Sequence, residues 1–191
     1  MYVEWHRSER ALPELQRATS ILPKNADPQV RLGEAFLNLG QDDKAMAAFD
    51  RAVEISATPT VWNNLAYQLS LKKAHLERAR SYAESAVSST SASLRNISLD
   101  SIDRRQLNLT EALGNYLDTL GWIAFGQGNS EEAQRYASAA WELGQHTEAA
   151  DHLAQIYQKR GNKRRRYSSP HAFAQRPGGL TRRRGSAQPP L

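Results

Sequence analysis

The chain has 191 residues, 40% of them hydrophobic and 24% charged, a balance that suits one soluble domain with an extended tail. No apolar run approaches the roughly 18 residues of a membrane span, and the absence of cysteine removes disulfides, thiolate metal sites and a cysteine nucleophile. The net charge of +5 belongs to the C-terminal stretch, because residues 163–191 hold eight basic side chains and no acidic one, leaving about −3 for residues 1–162.

Met1 to Arg10 carries Glu4, His6 and Glu9 where a secretory signal would have an apolar core, so it reads as no such signal. Residues 1–25 then place Ala11, Leu15, Ala18 and Pro23 at the spacing of the second helix of a leading hairpin whose first helix is mostly missing. In 26–59, Leu32-Gly33-x-x-Phe36 is followed by Gly40, Ala45, Phe49 and Ala52. In 60–90, Trp62 and Leu65-Ala66 lead to Ala79, Ala83 and Ala86, with one extra residue in the turn. From Ala66 to Gly121 there are 55 residues, about twenty more than one period of 34 plus that extra residue, so 91–113 reads as an insertion. Its approach, Ser88 to Ser93, is expected as a Ser-rich loop, and its end as an extension of the helix carrying Leu113, Leu117 and Leu120. In 114–146, Leu120-Gly121 is followed by Gly128, Ala133, Ala137 and Ala140 at the same offsets from the glycine as in the first full unit. Residues 147–162 hold one more first helix, to about Lys159. The Pro- and Gly-bearing basic stretch 163–191 reads as a disordered tail.

Each unit is a helical hairpin. Small and apolar residues recur at i, i+3, i+4 and i+7, and Gly40-Gln41-Asp42 and Gly128-Asn129-Ser130 mark tight turns with N-cap residues. Small residues at Gly33, Ala45, Gly121 and Ala133 let the two helices approach, while Leu32, Phe36 and Phe49 fill the space against the next hairpin. A hairpin of this kind cannot bury its apolar face alone, so the expected fold is all-α, a right-handed α-solenoid of stacked antiparallel helical hairpins.

These residues resemble the tetratricopeptide repeat family, whose period of about 34 residues runs Trp, Leu-Gly, Tyr, then Ala, Phe, Ala and Pro. The resemblance covers about residues 1–162 and departs from the pattern at Gln29, which stands where the family has Trp, and in keeping the closing Pro only at Pro23. Because both ends cut a hairpin, the chain reads as a segment of a longer array. The resemblance implies a protein–protein interaction scaffold whose concave groove, lined by first helices, takes a peptide or partner protein. Carried over position by position, that groove comprises Val30 and Glu34, then Asn63, Asn64 and Tyr67, then Asp118, Trp122 and Phe125, then Asp151, Gln155 and Gln158. Family members that grip a C-terminal carboxylate place Lys, Asn and Arg where this chain has Val30, Glu34, Asp118 and Trp122, so that clamp is absent.

Asn63 with Tyr67, and Asp118 with Trp122, are i, i+4 pairs that share a helix face; they either offer a polar group beside an aromatic platform to a ligand or pack against the next helix. With Glu34, Glu148 and Asp151 the groove is acidic and favours neutral or basic peptides. The five histidines share no metal-ligand spacing, and His152, adjacent to Asp151, points about 100° away from it on a helix, so the histidines are expected to be structural or solvated. No phosphate-binding, nucleophile-elbow or zinc-peptidase motif is present, so the expectation is no enzyme and no cofactor. Two other functions stay open: nonspecific nucleic-acid binding through the basic tail, and an accessory repeat segment of a larger enzyme. The compartment is not legible.

Overall fold

The computed structural model describes residues 2–73, 75–95 and 103–161, with side chains from Arg7 onward. Among these residues there are eight helices and no strand: α1 (Tyr2–Ile21), α2 (Asp27–Asn38), α3 (Asp42–Ile55), α4 (Pro59–Lys72), α5 (Leu76–Leu94), α6 (Arg104–Gly126), α7 (Ser130–Gly144) and α8 (Thr147–Lys159). Their starts carry the chemistry that satisfies the free N–H groups of a helix end. Thr58 accepts from the Val61 amide ahead of Pro59. Asp103 and Gln106 accept reciprocally from each other's amides at 2.8 and 2.9 Å. Asn129 accepts from the Glu132 amide.

The helices form antiparallel hairpins α2/α3, α4/α5 and α6/α7, with α1 packed on α2 and α8 on α7. The first helices α2, α4, α6 and α8 touch in succession and build an inner layer, and α3, α5 and α7 form the outer one. Close approach within a hairpin depends on the small residues: a methyl at Gly33 would enter the ring of the fully buried Phe49. One at Gly121 would stand 3.1 Å from the Ala137 amide nitrogen and 3.2 Å from the Ala133 carbonyl. Ala45, Ala52, Ala79, Ala83, Ala133 and Ala137 have no solvent exposure at all. The apolar interior falls into two clusters. One runs from α2 to α6 and includes Phe49, Leu65, Leu69, Leu120 and Ile123; the other joins α6, α7 and α8 through Ala124, Ala133, Ala137, Leu153, Ile156 and Tyr157.

The structure corrects one expectation. Ser88 to Ser93 is helix, because α5 continues to Leu94. Serine fits there by turning its hydroxyl back onto the preceding turn, as Ser85 does to the Ser81 carbonyl at 2.8 Å and Ser93 to that of Ser89 at 3.1 Å, while Ala86 and Thr90 keep a buried stripe. With α6 starting at Arg104, the extra residues lengthen two helices of neighbouring hairpins. Likewise α1 is a single helix of 20 residues, whose Ser8 accepts from Asn38 of α2 at 3.0 Å and whose Leu12 and Leu15 rest on the core. The basic tail, 163–191, lies outside the described residues.

Candidate functional site

Stacking places the inner faces of α4, α6 and α8 side by side, and three i, i+4 pairs meet there: Asn63 and Tyr67, Asp118 and Trp122, Glu148 and His152. The Tyr67 hydroxyl of α4 donates to Glu148 Oε1 of α8 at 3.0 Å, 81 residues away. Since α6 lies between those two helices, this bond arches over its inner face. Beneath it Asp118, 9% exposed, bonds through Oδ2 to His152 Nδ1 at 2.9 Å. A carboxylate oxygen only accepts, so the imidazole proton sits on Nδ1. The Trp122 ring stacks on His152, with centroids 4.1 Å apart and planes at 15°, and also on Phe125 at 5.3 Å. Lys159 closes the row with its ammonium 4.7 Å from the Phe125 centroid.

Two acceptors in this cluster are buried and unmatched: Asn63 Oδ1 and Asp118 Oδ1. Leaving such an atom without a donor costs about 1–3 kcal/mol, more for a charged group. The local field is negative. The Tyr67 hydroxyl titrates above the ordinary tyrosine value, first because burial disfavours the phenolate, then because Glu148 accepts its proton and the Glu148 and Asp118 charges oppose a third.

The remaining groove residues lie elsewhere. Glu34 lines a cleft of about 640 Å³ together with Arg7, Leu15, Gln68 and Leu71, walled by α1, α2 and α4. Asn64 faces a smaller recess of about 330 Å³ beside Asp27, Val30 and Thr60. Asp151 and Gln155 are exposed on α8, and Val30 is buried in the core. Thus of the eleven sequence-derived residues, Tyr67, Asp118, Trp122 and Phe125 join one cluster with Asn63 one turn before Tyr67, and Val30, Glu34, Asn64, Asp151, Gln155 and Gln158 lie outside it.

Sequence reasoning passed over His152 as a member of this site, because its partner stands 34 residues away on another helix and the adjacent Asp151 points elsewhere. It also passed over Arg80 of α5. That side chain forks onto Glu132 of α7 at 2.6 and 2.9 Å and reaches Glu84 at 2.8 Å, tying two outer helices together. Among the described residues no group of three or more His, Asp or Glu is placed to hold a metal ion, and no helix is long and apolar enough to cross a membrane.

Helical hairpins in two layers, joined by small residues at their crossings, define an α-solenoid of the repeat type. Residues 6–67 match the family model of the tetratricopeptide repeat. No curated protein sequence matches the chain. Among solved structures, PilF of Pseudomonas aeruginosa superposes with a TM-score of 0.64 at 19% identity, covering 93% of this chain and 72% of that one. BtubC of P. vanneervenii gives 0.56 at 18% identity, covering 87% and 70%. At those identities the likeness is one of fold. It is a fold whose general use is protein–protein interaction and which is typically not catalytic.

Proposed function

We propose that the chain is a non-catalytic interaction module that takes an extended segment of a partner protein along the inner face formed by α4, α6 and α8. The observation that carries this reading is the convergence of Tyr67, Asp118, Trp122, Glu148 and His152 on one face of three successive helices, with Asn63 one turn before Tyr67. Aromatic surface next to hydrogen-bonding groups is the composition of binding hot spots, since it buries area while fixing a ligand's orientation. Asp151 and Gln155, exposed on α8 beside this cluster, form its rim. Glu34 and Asn64 extend the surface toward α2 as flanking contacts.

The test is selection of binders to the full chain from a displayed library of random 12-residue peptides, followed by hydrogen exchange with and without each binder. Protection concentrated on α4, α6 and α8, with affinity cut about tenfold by the rim substitution Gln155→Arg, is the expected result. Protection confined to α3, α5 and α7 overturns the reading.

A further inference from the structure

We propose that the acceptor oxygens of Asp118, Asn63 and Glu148 beside the Tyr67–Glu148 hydrogen bond form a receptor for one cationic side chain, Arg or Lys, of the partner segment; this rests on the inner-face reading above and specifies its chemistry. The observations are those of a site short of donors. Asp118, nine-tenths buried, spends Oδ2 on His152 and leaves Oδ1 without a partner. Asn63, at the matching position of the preceding first helix, leaves its buried Oδ1 unmatched too. Among the described residues Glu148 accepts from Tyr67, and neither it nor Asp151 has a cationic partner.

A guanidinium or an ammonium carries donors and no acceptor, so it supplies what these oxygens lack and adds no unmatched group of its own. A neutral amide brings an acceptor that would itself go unpaired, and an anion would be repelled by Asp118 and Glu148. The arch above Asp118 is one neutral-donor hydrogen bond, and its donor, Tyr67, stands on a different helix from its acceptor, so it opens without unfolding either. The arriving cation takes Glu148 from Tyr67, and the half-buried Tyr67 and Trp122 rings cover its alkyl stem.

The experiment titrates the full chain with N-acetyl-arginine amide and, separately, with N-acetyl-citrulline amide, its neutral near-isostere. The readouts are the Trp122 indole and Asn63 side-chain amide resonances. The expected result is a saturable shift with the arginine probe and binding at least about tenfold weaker with citrulline, the difference a charge-assisted hydrogen bond supports. Glu148→Gln, on an exposed residue, should weaken the arginine probe about fivefold or more. Tyr67→Phe keeps the ring but frees Glu148 and should tighten it about threefold. Equal binding of the two probes, indifference to Glu148→Gln, or loss of binding in Tyr67→Phe each overturns the proposal. The inner-face reading fails separately: selected 12-residue peptides that protect α4, α6 and α8 but tolerate citrulline or Gln at every basic position would keep the groove and remove the cation receptor. Saturation by N-acetyl-arginine amide at Trp122 with no inner-face peptide would keep the receptor and remove the groove.

Discussion

Two of the hairpin turns leave their first helix through a glycine in the left-handed region, Gly40 at φ 69° and Gly128 at φ 86°. In the hairpin between them the equivalent position is Lys73, held at φ 51°. A side chain there sets Cβ against the following carbonyl at a cost of about 1–2 kcal/mol, which glycine avoids. Lys73→Gly should therefore raise the stability by about 1 kcal/mol in a chemical denaturation curve, although it removes an exposed charge and adds chain entropy. The reverse effect is expected at Gly121, where a methyl already meets the Ala137 amide and the Ala133 carbonyl, both backbone atoms that cannot rotate away. Gly121→Leu should cost on the order of 1–3 kcal/mol or more; an unchanged midpoint would mean that α6 and α7 do not cross at this residue.

At the scale of helices, the tie between α5 and α7 makes stability depend on acid. The Glu132 carboxyl titrates below its ordinary value of 4.5, chiefly because Arg80 donates to it. A carboxyl whose folded value lies below the unfolded one stabilises the fold above the unfolded value, and that contribution is lost as pH falls through the folded one. Stability should thus decline as pH drops below about 4.5, and Glu132→Gln should lower stability at pH 7 by about 1–3 kcal/mol while flattening this acid slope. Melting temperatures from pH 3 to 7 read both. Tyr67 works in the opposite direction: its folded value lies above the ordinary 10.0, so its contribution is whole below that value and is lost as pH rises through the higher folded one. Tyr67→Phe should remove that alkaline loss.

Helices are also the scale at which the sequence was most legible. The Leu32-Gly33 and Leu120-Gly121 pairs, with the alanines that follow them, mark crossings where only small residues fit, and a close crossing leaves its trace in residue size. The stretch Ser88 to Ser93 gave a misleading signal because serine composition is compatible with a loop, whereas the back-bonded hydroxyls and the buried Thr90 that make it helix are contacts composition does not encode. Asn63, Tyr67, Asp118 and Trp122 could be grouped because their pairing is local, i to i+4. His152, Glu148 and Arg80 draw their partners from other hairpins, 34, 81 and 52 residues away, and those pairings follow only from how the hairpins stack.

At the scale of the whole chain, the stability of a solenoid is chiefly a sum of local units and the interfaces between neighbours, to which the Tyr67–Glu148 bond adds one contact that skips a hairpin. The division of the interior into two apolar clusters makes this concrete. Phe49, Leu65 and Leu69 belong to the first, and the inner side of α8 is held only by the second, through Leu153, Ile156 and Tyr157. Beyond those side chains, α8 is fastened to the inner layer by the stacking of His152 on Trp122 and by two hydrogen bonds, Tyr67 to Glu148 and Asp118 to His152. Opening of α8 should therefore precede opening of α2 to α4, with its amides exchanging through a local event of lower free energy than global unfolding. Replacing both tethers, as Glu148→Ala with His152→Ala, should speed exchange across Thr147–Lys159 by about tenfold or more and leave the amides of α2 and α3 at their original rates. Equal acceleration along the whole chain would show instead that α8 and the first cluster unfold as one unit, and that the inner-face contacts bind the repeats together more tightly than a nearest-neighbour stack allows.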